Sequence, residues 1–322
     1  EAREFAGPAI FTAGPLLDGK NPFFPTFMCL HALANKEQIH QVIKNQAAKG
    51  YDFIKIYSNL SGQNFEDIME IAALYDMPVA GHVPDAVGIK YALESGLRSI
   101  EHLYGFFNPY NPELNVKKGD IQELAGIAAH NHVWNCPTLI ANERLADTER
   151  QNEFEDEEEM RYIPKRNKKA MRILMRESRK LYDKKGNKGN HAYMEFLYEI
   201  VRQLHNEGAG LLMGTDKSVP YVVAGFSEHR EMQLLGEAGL SNYEVIKTAT
   251  INAAQCLNRE NEMGSIEIGK RANMIITDTN PLEDLKAISH HTGVIKDGVY
   301  YTREMCDAIL DDIRINKIHT IS

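Results

Sequence analysis

Short apolar runs alternate with amphipathic stretches along the first 256 residues. "GPAIFTAG" (7–14), "YDFIKIY" (51–57), "MPVAGHV" (77–83), "RSIEHLY" (98–104), "HVWNCPTLI" (132–140) and "AGLLMGTD" (209–216) predict six strands. Between them apolar residues recur at helical spacing. One such stretch is 35–49, closed by Gly50. A second is "NFEDIMEIAALYD", with Asn64 as its predicted N-cap. A third, "DAVGIKYALESG", has Asp85 near its start and Gly96 just past its end. "DIQELAGIAAHN" and the stretches 226–238 and 242–256 predict further helices. Strand–helix alternation of this kind predicts a parallel sheet with helices outside it.

The pattern changes twice. Residues 141–207 are rich in Glu, Lys and Arg, yet "KKAMRILMRESRKLY" and "HAYMEFLYEIVRQLH" are amphipathic, so solvated helices are predicted there rather than disorder. From 258 to 301 short β-rich segments sit between Gly-containing turns without helices. That predicts a small β domain, followed by a terminal helix in "REMCDAILDDIRINK". The expected division is a barrel over 1–257, interrupted by the insertion, and a β portion with a tail over 258–322.

Ionisable residues gather at predicted strand ends. Lys55 lies within "FIKIY", His82 ends the third strand, His102 the fourth and Asp216 the sixth. In a parallel barrel these ends share one face, where active sites sit. Singly, each has an ordinary explanation: a snorkelling lysine, structural histidines, a capping aspartate. Their succession at strand tips points to a shared purpose. Imidazole nitrogen and carboxylate oxygen suit zinc and similar divalent ions. A cationic lysine cannot ligate, but a lysine carboxylated by CO2 is an anionic carbamate, and burial would supply the neutral amine it requires.

"DFIKIY", "PVAGHVP", "SIEHLYG", "GTD", "HREMQLLGEAGLSNYEVIKTATINAAQCL" and "MGSIEIGKRANMIITDTNPLEDL" together resemble the amidohydrolase superfamily, in its imidazolonepropionase-related, metal-dependent dipeptidase-like branch. The resemblance covers nearly the whole chain, the charged insertion least. It implies an α/β fold, a (β/α)8 TIM-type barrel with a small composite β-sandwich. It implies Lys55, His82, His102 and Asp216 as metal ligands, with one or two zinc-like ions, a carbamate on Lys55, and Asp216 as the catalytic proton carrier. The family's HxH pair and first two barrel strands have no counterpart here, and "GPAIFTAG" resembles its third strand. The chain is therefore expected to be the C-terminal part of a longer hydrolase of amide C–N bonds in cyclic amides, dipeptides or N-acyl amino acids. Alone it is expected to bind metal weakly, to turn over little, and to be marginal or a homo-oligomer. Tyr57, Tyr104 and His229 are candidates to touch substrate. "HNH" at 130–132 has HxH spacing but precedes a strand, which puts it at the opposite mouth.

Composition narrows the partners. The 322 residues are 43% hydrophobic, enough for a large core. A net charge of −9 argues against nucleic acid, and no run is apolar enough to span a bilayer. Cys29, Cys136, Cys256 and Cys306 are scattered without a CxxC pair, which favours free thiols and a cytoplasmic location. The first residue is Glu1, and a leader removed upstream would also fit. Two other functions stay open: a barrel that has lost catalysis and serves as a binding or assembly module, and an aldolase using Lys55 as a Schiff-base amine.

Overall fold

The computed structural model describes residues 7–23, 29–147, 150–184 and 190–316. The chain divides into two compact units, residues 1–137 with 203–211, and residues 138–202 with 212–322.

The first unit is built on a six-stranded parallel sheet, in the order β2-β1-β3-β4-β5-β6. Its strands are short: β1 (Leu16–Gly19), β2 (Leu30–Leu33), β3 (Ile54–Ile56), β4 (Val79–Gly81), β5 (Ser99–Glu101) and β6 (Trp134–Cys136). Helices α1 (Lys36–Ala48), α2 (Gly62–Leu74), α3 (Ile89–Glu94) and α4 (Ile121–His130) connect them. Register aligns Leu17, Ile56, Gly81, Ile100 and Asn135 across the sheet. Successive residues face opposite ways, so a second row holds Lys55, Ala80, Ser99 and Trp134. Leu17, Ile54, Ile56 and Ile100 are fully buried, as are Ile39 and Ile43 of α1 and Phe65 and Ile68 of α2. Each such side chain contributes roughly 1.5–3 kcal/mol by leaving water.

Local chemistry explains where elements start, and corrects several expectations. "GPAIFTAG" is not a strand: only Ala13 bridges to Phe53. Pro15 instead opens β1, as Pro78 opens β4, and β2 was not anticipated. "AGLLMGTD" contributes only a bridge from Leu211 to Asn135. The cap of α2 is Ser61, whose hydroxyl accepts from the Asn64 N–H at 3.1 Å, rather than Asn64 itself. The Asn64 amide is turned inward to donate to Leu33 O. Asp85 precedes α3 by a turn and accepts from Asn108 Nδ2 at 3.0 Å, so it does not cap that helix.

The second unit is mainly helical. It contains α5 (Leu139–Ala146), α6 (Gln151–Asp156), α7 (Lys165–Lys184), most of α8 (Asn190–Asn206), α9 (Ser227–Glu237), α10 (Asn242–Thr248) and α11 (Ile251–Cys256). The charged insertion is thus helical, as its periodicity predicts. A small core of Phe154, Met160, Ile163, Met175, Tyr221 and Val223 lies beneath it. A three-stranded antiparallel sheet follows, β7 (Met274–Ile276), β8 (Gly293–Lys296) and β9 (Val299–Thr302), with the short α12 (Lys286–Ser289) before β8. The terminal helix α13 (Arg303–Asn316) appears where predicted. All four cysteines are free thiols. No helix among the described residues is long and apolar enough to cross a membrane.

Candidate metal centre

Lys55 sits in the middle of β3, between two fully buried isoleucines and on the opposite face from them. Two residues further along that face, Tyr57 and His82 leave the tips of β3 and β4. Gly81 makes this possible. A Cβ on it would lie 2.2 Å from Ile56 O, and its φ of +146° is one that L side chains rarely adopt. The close approach lets the His82 N–H donate to Ile56 O at 3.2 Å.

The His82 ring is 3% exposed and held on every side but one. Tyr57 stacks on one face with centroids 3.9 Å apart, and Tyr104 on the other at 4.0 Å. Nδ1 lies 2.9 Å from Ser58 Oγ. The His102 ring meets His82 edge-on at 5.1 Å. His82 Nε2 is buried and has no hydrogen-bond partner. Burial, with Lys55 and His102 nearby, holds His82 well below the usual histidine range, so the imidazole is neutral. His102 and Leu103 both take left-handed φ values (60° and 58°), which turn the chain sharply after β5, and the His102 N–H donates to Cys136 O at 2.8 Å.

Lys55, His82 and His102 are thus neighbours within the first unit. Asp216 belongs to the second unit. There it has φ 49°, and its carboxylate accepts from Ser218 Oγ at 2.6 Å. Tyr57 and Tyr104 are the two stacking partners of His82. His229 lies on α9 beside His290, His291 and Glu159, and burial lowers its pKa. His130 ends α4 and His132 precedes β6, at the other end of the strands from His82 and His102.

Three supporting residues escaped the sequence reading. Ser58 is a plain serine after Tyr57 with no motif to mark it. Asp18 is fully buried at the tip of β1, and its carboxylate accepts backbone N–H groups from Gly19, Phe23 and Asn59 at 2.7–2.9 Å. It ties the loop after β1 to the loop that carries Ser58. A carboxylate directly after the apolar pair Leu16–Leu17 is a visible signal, lost because β1 itself was misplaced. Glu231, in "HREMQ", is fully buried on α9 and accepts from the Leu139 and Ile140 N–H groups at the start of α5.

Among the described residues, no three or more His, Cys, Asp or Glu side chains are arranged to hold a metal. The set in the first unit relies on Lys55 as its third member. Its chemistry fits a divalent ion: a neutral imidazole with one nitrogen oriented by a hydroxyl and the other buried and unpaired, a second imidazole at its edge, and a strand lysine close enough to act on the first.

The mostly parallel sheet with its helices and the small antiparallel sheet match a TIM-barrel-like amidohydrolase fold. The amidohydrolase family model matches residues 2–300, and the chain belongs to that family. An imidazolonepropionase of Thermoanaerobacter pseudethanolicus is 28% identical over 107 residues, 32% of this chain and 24% of that protein. The match therefore spans about a quarter of that relative's length. A bottromycin amidohydrolase structure superposes with a TM-score of 0.73 at 25% identity, covering 95% of this chain and 67% of that one. A Xaa-Pro dipeptidase solved with methionine in its active site gives 0.65 at 21% identity, over 94% of this chain and 70% of that one, a likeness of fold.

Proposed function

We propose that the chain carries part of the active site of a metal-dependent hydrolase that cleaves C–N bonds in small amides, such as cyclic amides, dipeptides or N-acyl amino acids. Lys55, His82 and His102 hold the ion, zinc or a similar divalent metal, which imidazole nitrogen suits. Membership of the amidohydrolase family supports the hydrolase class. The single observation that carries the metal reading is His82 Nε2, buried and unpaired beside a second imidazole. A buried polar atom without a partner is costly and calls for a ligand.

When bound, a divalent ion there supplies a water of lowered pKa and a polarised carbonyl. Each residue has its own part. Lys55, as the neutral amine, adds CO2: an N–C bond forms, one proton leaves to solvent, and the carbamate supplies two anionic oxygens. His82 and His102 contribute neutral nitrogens. Tyr57 and Tyr104 hold the His82 ring and wall off water from its faces. By the family resemblance Asp216 would be the proton carrier, taking a proton from the attacking water and passing it to the leaving nitrogen so that the amine departs neutral.

Zinc titration of the chain by calorimetry, paired with hydrolysis of a dipeptide and N-acyl amino acid panel, tests the reading. The expected result is saturable binding that His82→Ala and His102→Ala each weaken beyond the roughly 100-fold limit of an outer-sphere change. Equal affinity in wild type and both variants would remove the metal assignment.

A further inference from the structure

We infer that Phe23, Tyr57 and Tyr110 form an aromatic subsite beside His82, which selects amides carrying an uncharged ring, aromatic or alicyclic, next to the scissile bond. This rests on the metal-site reading above and narrows its substrate class, with Phe23 as the residue that decides the preference.

A row of rings runs outward from His82 along the strand tips of the first unit. Tyr57 stacks on the imidazole, Phe23 lies 5.7 Å from Tyr57, and Tyr110 lies 5.0 Å from Phe23, centroid to centroid. The angles change along the row. Tyr57 and Tyr104 lie nearly flat on His82, at 28° and 15°, and cover its faces. Phe23 is tilted by 55° to Tyr57 and by 50° to Tyr110. Rings that meet at such angles touch along an edge and leave a wedge between their faces. Exposure agrees with this. The loop after β5 buries Tyr104, Phe106 and Phe107 to 5% exposure or less, whereas Tyr110 in the same loop stays partly exposed, as do Phe23 and Tyr57. Apolar surface that gathers in one place, rather than scattering singly, marks a binding site.

The wedge is ordered in advance. Asp18, fully buried, grips the Phe23 N–H at 2.7 Å and the Asn59 N–H at 2.8 Å, so Phe23 and the loop after Tyr57 are fastened to one carboxylate. Asn108, 4% exposed, accepts from the Tyr110 N–H at 2.9 Å and donates to Asp85 at 3.0 Å. The Asp85 N–H donates in turn to Ser58 O at 3.0 Å. The loops after β1, β3, β4 and β5 are thereby tied together, and a site ordered beforehand loses less entropy on binding. A ring seated there meets flat apolar faces, whereas a charged group would have to shed its water against them. Because Tyr57 also touches His82, the seated group is attached close to the amide that the ion would polarise.

The test measures binding of two probes, N-acetyl-phenylalaninamide and N-acetyl-alaninamide, to the full chain by calorimetry and ligand-observed NMR, with and without zinc. The phenyl probe is expected to bind at least roughly 10-fold more tightly. Phe23→Ala should abolish that preference and Phe23→Tyr should keep it, with melting curves to check that each variant is folded. If Phe23→Ala does not fold, Tyr110→Leu gives the same reading. Equal affinity for the two probes, or a preference that survives in the folded Phe23→Ala or Tyr110→Leu variant, would overturn the inference. A phenyl preference in a chain that binds no zinc leaves the subsite standing and removes the metal reading above. Zinc binding with equal affinity for the two probes does the reverse.

Discussion

His82 and Glu231 are both buried ionisable side chains, one in each unit, and the chain treats them in opposite ways. Glu231 is fully satisfied: its two oxygens accept the Leu139 and Ile140 N–H groups at 2.9 and 2.6 Å, at the start of α5. Arg230 beside it pairs with Glu143 at 2.6 Å. His82 is equally enclosed, yet one nitrogen bonds a hydroxyl and the other bonds nothing. A buried group whose partners are all protein stabilises a fold. A buried group left incomplete calls for an explanation, and a bound ion is one. On that ground we propose that Glu231 is architectural and His82 functional, and substitutions should separate them.

The largest effect is expected at Glu231. Glu231→Ala strands two backbone donors at the end of a helix and opens a cavity, costing about 2–4 kcal/mol. Denaturant unfolding measures it, and a loss under 1 kcal/mol would break the contrast. The same residue has a pH signature. Burial pushes its carboxyl from an ordinary 4.5 up to about 8, against the pull of the two N–H groups. The folded state then keeps a proton that the unfolded chain releases as pH rises from 4.5 to 8. Glu231's contribution is therefore fully present below the unfolded value and is lost as pH climbs through 8. Glu231→Gln, neutral throughout, should flatten the fall in melting temperature across that window.

Next comes Gly81, which sets how close β4 can come to β3. Gly81→Ala places a methyl against Ile56 O in a conformation only glycine takes comfortably, costing about 1–3 kcal/mol. Because His82 follows directly, zinc affinity should fall with it. A stable variant with unchanged affinity would show that the β3–β4 contact does not position the ring.

These contrasts also mark what the sequence could reveal. The periodicity located the parallel array, the helical insertion and the terminal helix, because each depends on apolar spacing within a few residues. Lys55 stands out in the sequence because it interrupts an apolar run, and His82 and His102 because each closes one. Strand ends were less legible. Pro15, which lacks an N–H and fixes φ, moved the first strand from 7–14 to Leu16–Gly19, and with it went Asp18. Ser58 and Glu231 could not be seen at all. Their roles arise from contacts 24 and about 90 residues away along the chain, which no local pattern encodes.

The smallest stability change should come from His82 itself, and its smallness is the point. His82→Phe keeps an aromatic ring between Tyr57 and Tyr104 and removes both ring nitrogens. Loss of the Ser58 bond costs about 1 kcal/mol, and removal of a buried unpaired nitrogen returns a similar amount, so stability should stay within about 1 kcal/mol of wild type. Zinc affinity should nonetheless collapse. A residue that the fold can do without, but the ion cannot, is what the unpaired Nε2 implies. If His82→Phe instead unfolds as readily as Glu231→Ala, the ring is part of the core's own architecture, and its missing partner is a packing accident rather than a place kept for a metal.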